Sequence, residues 1–398
     1  MHNPFSLLYQ AYRHSRRQKK LGRSMSKELR LLQFIQFSPV APLSTRMISP
    51  DKEKHLKIAF IIPGLPRYSG GHTSILRLGT YLTHIGHEIY YVTYDCAEKE
   101  SMRSNAENNL PTYQGTVLDR SALNDGYDVA VATWWLSAYI VARLPNASHK
   151  AYFIQDYEPA FMPEGEHYFL ARQSYALGLH MFSLGGWNKA RILQIFPTAA
   201  IDEMCFPYEP QAYKFVAHAA AAPHMLRLAI YIKLSSKRAP YMLIRCVEQL
   251  ESDLRQHGVS LEARFFGAEK DIPLPVGQNL GKLNQKELLT LYSQSDLGVV
   301  ASLTNISLVP YEMIATGLPI VDFLEGSAPF FFNDDMMLLS PLDPVQFSET
   351  IRKAIAEPDR LRKMAQTALE HVRENTWLAA AEQFDRALKA RLSAQRSD

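Results

Sequence analysis

From Lys57 onward the chain alternates short β-branched and aromatic runs with segments of helical periodicity, and it does so in two series. That alternation dictates parallel α/β units, because parallel neighbours need a crossover long enough to hold a helix. The first series reads KIAFII (57–62), HEIYYVTYD, DVAVAT (128–133), AYFIQ (151–155) and GLHMFSL (178–184) as strands. Between the first two, Ile75, Leu78, Leu82 and Ile85 recur at helical spacing. The pattern breaks over YEPQAYKFVAHAAAAPHM (208–225), and a second series follows. There LRLAIYI (226–232), LEARFFG (261–267), LGVVAS and PIVDF read as strands, and APYMLIRCVEQLESDLRQHG and NQKELLTLYSQSD as helices.

At 398 residues the chain exceeds one ordinary core. The reading is therefore an extension over 1–56, a Rossmann-like domain over 57–215, a linker over 216–225 and a second Rossmann-like domain over 226–374. A last helix over 375–398 carries Trp377, Ala381, Phe384 and Leu388 on one stripe. The fold class is α/β, two doubly wound domains facing a central cleft. Ligands of such sheets bind beyond the strands' carboxyl ends, so the cleft is the expected site.

Charge is uneven. The stretch 1–57 holds twelve Lys and Arg against three Asp and Glu, whereas the remainder is net acidic. The basic block YRHSRRQKKLGRSMSKELR reads as a solvated tail or as a peripheral membrane contact, with Phe5, Leu7, Leu8 and Tyr12 entering an anionic leaflet. An acidic body without a continuous basic face argues against nucleic acid. No apolar run approaches the roughly 20 residues a bilayer requires, and no secretory h-region is seen. Cys96, Cys205 and Cys246 are too scattered for a metal or disulfide framework. These features imply a cytoplasmic protein.

Three loops after strands carry candidate chemistry. PGLPRYSGGHTS sets Gly70 and Gly71 where a strand passes into a helix, as a plain turn or as an anion-binding approach. The loop KLSSKRAP places Lys233, Lys237 and Arg238 beyond a strand end, which suits a diphosphate. In SLTNISLVPYEMIATGLPIVDF, Pro310 is placed to begin a helix, with Glu312 in its first turn and Gly317 as its left-handed cap. A glutamate there either favours the helix dipole or accepts hydrogen bonds from ribose. Asp156 and Glu158, in QDYEP after a strand, are the polar catalytic candidates. Trp134, Trp135 and Tyr157 are candidates for stacking on a sugar, and His72 and Tyr68 flank the glycine loop.

The set YIKLSSKR, RFFG, LGKLNQKELLTLYSQSDLGVVAS and VPYEMIATGLPIV resembles the donor domain of GT-B glycosyltransferases, specifically the glycogen-synthase-like family 4. GGHTSILRLGTYLTHIGHEIYYVTYD is similar to the first-domain glycine loop of those enzymes. YFIQDYEPAFMPEGEHYFLARQSYALGLHMFSLGGW resembles rhamnosyltransferases that build bacterial surface polysaccharides. The resemblance implies Lys233 with Lys237 or Arg238 on the donor diphosphate, and Glu312 on the ribose. It further implies Gly267, Thr304, Asn305 and Ser307 in the donor site. The implied donor is a nucleotide sugar, dTDP-L-rhamnose by that likeness, and the acceptor a glycan or lipid-linked oligosaccharide. Retention of configuration and no metal or other cofactor are implied too. Thr304 stands where the family's E-x7-E motif has its first glutamate, Lys233 where an Arg is common, and Gln155 where a His precedes Asp156. A nucleotide-sugar epimerase of the same form and a non-catalytic subunit of a polysaccharide assembly complex are the rival readings.

Overall fold

The computed structural model describes residues 55–95, 97–216, 218 and 224–394, with positions 22, 25, 26, 29, 32, 35, 48 and 49 before them. The Arg and Lys residues of the basic N-terminal block, with Phe5, Leu7, Leu8 and Tyr12, lie outside the described residues. So do Cys96 and most of the linker.

The first unit runs β1 (Lys57–Ile62), α1 (Gly70–Ile85), β2 (Glu88–Thr93), α2 (Lys99–Asn109), β3 (Thr116–Leu118), β4 (Tyr127–Ala132) and α3 (Trp135–Arg143). It continues through β5 (Ala147–Ile154), α4 (Glu166–Gln173), β6 (His180–Leu184), α5 (Gly186–Ile195) and β7 (Ile201–Met204). Among the described residues its seven strands are parallel, in the order β3-β2-β1-β4-β5-β6-β7. Every residue of β4 is buried, as expected of a strand covered by helices on both faces.

The second unit runs β8 (Met225–Tyr231), α6 (Pro240–Gln256), β9 (Ser260–Phe266), β10 (Gln278–Asn279), α7 (Gln285–Ser293), β11 (Leu297–Val299), α8 (Leu308–Ala315) and β12 (Ile320–Phe323). It closes with α9 (Ala328–Phe331), β13 (Leu338–Ser340), α10 (Pro344–Ile355) and α11 (Pro358–Val372), before the last helix, α12 (Trp377–Ala394). Its six strands among the described residues are also parallel, ordered β10-β9-β8-β11-β12-β13. Four short strands absent from the sequence reading (β3, β7, β10 and β13) extend the two sheets.

In both sheets the strand order reverses beside the first strand of the unit. Crossovers therefore leave in opposite directions from β1 and β4, and again from β8 and β11, opening a crevice at each pair of carboxyl ends. Helix α12 packs on the first unit: Phe384 stacks on Phe182 of β6 at 4.0 Å, and the Gln383 side chain accepts the Cys205 N–H at 2.6 Å. Asp385 meets His87 Nε2 at 2.9 Å.

One apolar cluster runs from the first unit into the second, and Phe206 stacks on Tyr311 of α8 at 5.0 Å. Gly317 has φ +83°, and a β-carbon there would lie 2.6 Å from the Phe215 ring. Left-handed backbone and close packing both require glycine at that position.

Candidate functional site

The loops leaving β1, β4, β5, β8 and β11 converge on a cavity of about 450 Å³. Gly70, Gly71, Asp156, Glu158, Lys233, Lys237, Arg238, Ser307 and Glu312 all line it. Residues chosen from loops far apart in sequence thus share one enclosure, because each follows a strand whose carboxyl end faces the cleft.

On the first-domain wall, α1 starts at Gly70 with Ser69 in extended conformation as its cap. The sharp backbone bend expected at Gly70 and Gly71 falls instead on Gly64 (φ +56°) and Tyr68 (φ +54°). A β-carbon at Gly70 would meet no protein atom within 4 Å, so this glycine leaves room beside the helix N-terminus. His72 Nδ1 lies 2.7 Å from the Ser69 hydroxyl, and its Nε2 is buried. Burial holds His72 down to about 4, so its ring is neutral near pH 7.

Asp156 forms the joint between the walls. One carboxylate oxygen accepts Lys237 Nζ at 2.8 Å and the Thr304 hydroxyl at 3.0 Å. The other accepts the backbone N–H of Asn305 at 2.9 Å and of Tyr157 at 2.8 Å. Asn305 adds two bonds across the joint, from its side-chain amide to the carbonyls of Gln155 and Leu184, each at 2.8 Å. Lys237 also lies 3.7 Å from the centre of the Phe161 ring. Burial lowers its pKa, and Asp156 opposes that shift.

Glu158 is only 3% exposed. Its Oε2 accepts the Trp135 N–H at 2.5 Å and the Tyr152 hydroxyl at 2.9 Å. Burial pushes its carboxyl up to about 8, against the pull of those two bonds.

On the opposite wall Lys233 is solvent-exposed, and its ammonium makes no hydrogen bond or ion pair to a described residue. Desolvation at the cleft, then Lys237, Arg238 and Lys282, push its pKa down. Arg238 is buried, and its guanidinium donates to the carbonyls of Ala301 (3.2 Å) and Asn305 (3.3 Å). Ser307 caps α8 in extended conformation, and its buried hydroxyl has no hydrogen-bond partner among the described residues.

Pro310 does not begin α8. The helix starts at Leu308, so Pro310 is its third residue and Glu312 its fifth, two residues further into the helix than expected. Proline is tolerated there because N–H groups of a first turn have no helical partner. Side chains tilt toward a helix N-terminus, which brings the Glu312 carboxyl to the cavity. Burial raises its pKa, opposed by Arg77 and by a hydrogen bond from the Tyr213 hydroxyl.

Three expected donor-site residues do not line the cavity. Thr304 and Asn305 face the joint at Asp156. Gly267 (φ +103°) follows β9, where a β-carbon would lie 2.6 Å from the Tyr231 ring, so it admits a tyrosine that does line the cavity. Sequence reasoning missed Phe161, Phe206 and Tyr231 in the lining. Phe161 stacks on Trp134 at 5.7 Å and gives the cavity an aromatic wall. Trp135 and Tyr157 are buried and do not line it.

No family model matches the chain. It is 28% identical over 283 residues to the O-antigen biosynthesis protein RfbC of Myxococcus xanthus, a match spanning 68% of this chain and 21% of that protein. It is 28% identical over 178 residues to the D-inositol 3-phosphate glycosyltransferase of Corynebacterium diphtheriae, spanning 41% of this chain and 42% of that one. The chain therefore spans well under two thirds of the length of the curated relatives it matches.

Among solved structures, sucrose-phosphate synthase from Thermosynechococcus elongatus superposes with a TM-score of 0.65 at 16% identity, over 85% of this chain and 99% of that one. Anabaena Alr3699/HepE in complex with UDP and glucose gives 0.65 at 14% identity, over 84% and 100%. Staphylococcus aureus TarM gives 0.62 at 9% identity, over 83% and 99%. With two parallel sheets facing one cleft and these structural neighbours, the chain has the GT-B fold.

Proposed function

We propose that the chain is a glycosyltransferase that moves a sugar from a nucleoside-diphosphate donor to a surface polysaccharide or another glycan acceptor. The observation that carries this reading is the shared cavity. One wall offers the Lys233 ammonium and the N-terminus of α8; the other offers the N-terminus of α1, Asp156 and Glu158. As the bond from the sugar C1 to the diphosphate oxygen breaks, negative charge grows on the leaving group. Lys233, the neighbouring charges of Lys237 and Arg238, and the free N–H groups of α8 stabilise that charge. Holding an acceptor hydroxyl against C1 supplies much of the remaining acceleration.

The UDP and glucose in the HepE structure support the donor class, and the name of the RfbC relative supports the acceptor class. Within that reading the donor is dTDP-L-rhamnose, transferred with retention to a lipid-linked oligosaccharide; the likeness of residues 152–187 to rhamnosyltransferases supports the sugar. Glu312 receives the ribose hydroxyls. The basic N-terminal extension meets the membrane that carries the acceptor.

The test is incubation with dTDP-L-rhamnose, dTDP-glucose and UDP-glucose, each with and without a lipid-linked oligosaccharide, while free nucleoside diphosphate is measured. Release that depends on acceptor supports transfer. Sugar interconversion without acceptor indicates an epimerase, and binding without turnover a non-catalytic subunit. Glu312→Ala weakens donor binding; unchanged affinity removes Glu312 from the site.

A further inference from the structure

Glu158 has an arrangement that the transfer chemistry alone does not call for. Both hydrogen bonds to its carboxyl converge on Oε2, from the Trp135 N–H and the Tyr152 hydroxyl. Its backbone N–H is taken by the Tyr175 hydroxyl at 3.1 Å. No hydrogen bond from a described residue reaches Oε1, and Glu158 is one of the residues that line the cavity. With two donors already on Oε2, a proton on this carboxyl has its place on Oε1, and Oε2 then serves as the carbonyl-like oxygen.

The surrounding charges agree with a neutral group. The cation within reach, Lys237, is bonded to Asp156 at 2.8 Å, so a second carboxylate would be buried without a counter-ion. Asp156 further disfavours its ionisation, and Lys237 favours it by a smaller amount. The remaining titratable groups facing it, Tyr94, Tyr152 and Tyr175, have their phenols pushed upward and stay neutral. His72, on the same cavity, is neutral too.

We propose that Glu158 is held as a neutral carboxylic acid whose Oε1 hydroxyl donates a hydrogen bond to a sugar oxygen in the cavity. It is then a specificity residue that reads a hydroxyl or ring oxygen, and it adds no negative charge beside the diphosphate. Donor and acceptor sugars present the same oxygens, so the chemistry of recognition is shared. The sugar partner rests on the glycosyltransferase reading; the protonation state does not.

The first test is a carbon-13 NMR titration of the full chain, labelled at glutamate side-chain carboxyls, with the Glu158 signal assigned by its loss in Glu158→Gln. An inflection near pH 8 supports the inference, and one below about 5, the ordinary range, overturns it. The titration needs no substrate, so it stands whatever the transfer assay gives. In that assay with dTDP-L-rhamnose and oligosaccharide, Glu158→Leu lowers kcat/KM by about 5- to 150-fold, the range for an unmade buried hydrogen bond. Glu158→Gln, whose amide N–H2 can donate in place of Oε1, rescues most of that loss and abolishes the fall of wild-type activity above pH 8. Failure of the amide to rescue a folded protein overturns the assignment. A rise in the donor KM assigns the sugar to the donor, and a rise in the acceptor KM assigns it to the acceptor. If no nucleotide binds or turns over while the inflection stays near pH 8, the transferase reading fails and the neutral acid remains.

Discussion

Replacing Asp156 by alanine strips one carboxylate of four donors at once: Lys237 Nζ, the Thr304 hydroxyl and two backbone N–H groups. The Lys237 side chain is 22% exposed and that of Asp156 10% exposed, so the ammonium is left largely buried and unpaired. Removing one partner of a buried pair costs roughly 3–5 kcal/mol, and Asp156→Ala falls in that range. Lys237→Met is milder, about 1–2 kcal/mol, because Asp156 keeps its three other donors. In the double variant neither charge of the pair remains. The two losses then fail to add, and the coupling is about 2–3 kcal/mol. Equilibrium urea unfolding of the four proteins, followed by tryptophan fluorescence near Trp134 and Trp135, measures it. Burial also makes the coupling insensitive to added salt. Losses that add to within about 0.5 kcal/mol would refute the joint as described.

Lys233→Met weakens UDP or dTDP binding by about 10- to 150-fold in calorimetry, as expected for a lost bond to a charged group, and leaves the melting temperature unchanged. Gly70→Ala stabilises the fold by about 0.4–1 kcal/mol, since the methyl meets no protein atom, yet lowers nucleotide-sugar affinity by filling the cavity. Thermal melts and calorimetry on the same sample test both halves. The contribution of Glu158 to stability falls between pH 6.5 and 8. Glu158 is raised on folding, so the folded state binds more protons than the unfolded one above about 4.5. Its stabilisation is whole below that pH and is lost as pH rises through about 8. His72, lowered on folding, acts oppositely but only below about 6.5, and Asp322, raised to about 6, has mostly finished by then. The Glu158 part of the fall is about 2 kcal/mol, and Glu158→Gln flattens that part of the profile.

Much of the fold was legible because buried parallel strands announce themselves by apolar content. β1, β4, β5 and β8 needed no partner information to be found. The edge strands were not, since β3, β10 and β13 hold two or three residues and carry no periodicity. The start of α8 was misplaced because proline marks a first turn without specifying which residue of it. Asp156 was visible as a polar residue at a strand end. Its role was not, because Lys237, Thr304 and Asn305 reach it only once two separate sheets have packed. The glycine loop misled for a similar reason: the strained bend is carried by Gly64 and Tyr68, and Gly70 is small for the sake of the space beside it.

Helix α12 has a consequence for how the molecule is made. It supplies Phe384 to the face of β6 and Asp385 to His87, so the first domain's core is completed by residues synthesised after the whole second domain. At about 5–20 residues per second, the nascent first domain waits some ten seconds or more with the Phe182 face uncovered. Assembly of the first domain is thereby deferred until α12 has been made, and through that interval the uncovered face is open to chaperones and to aggregation.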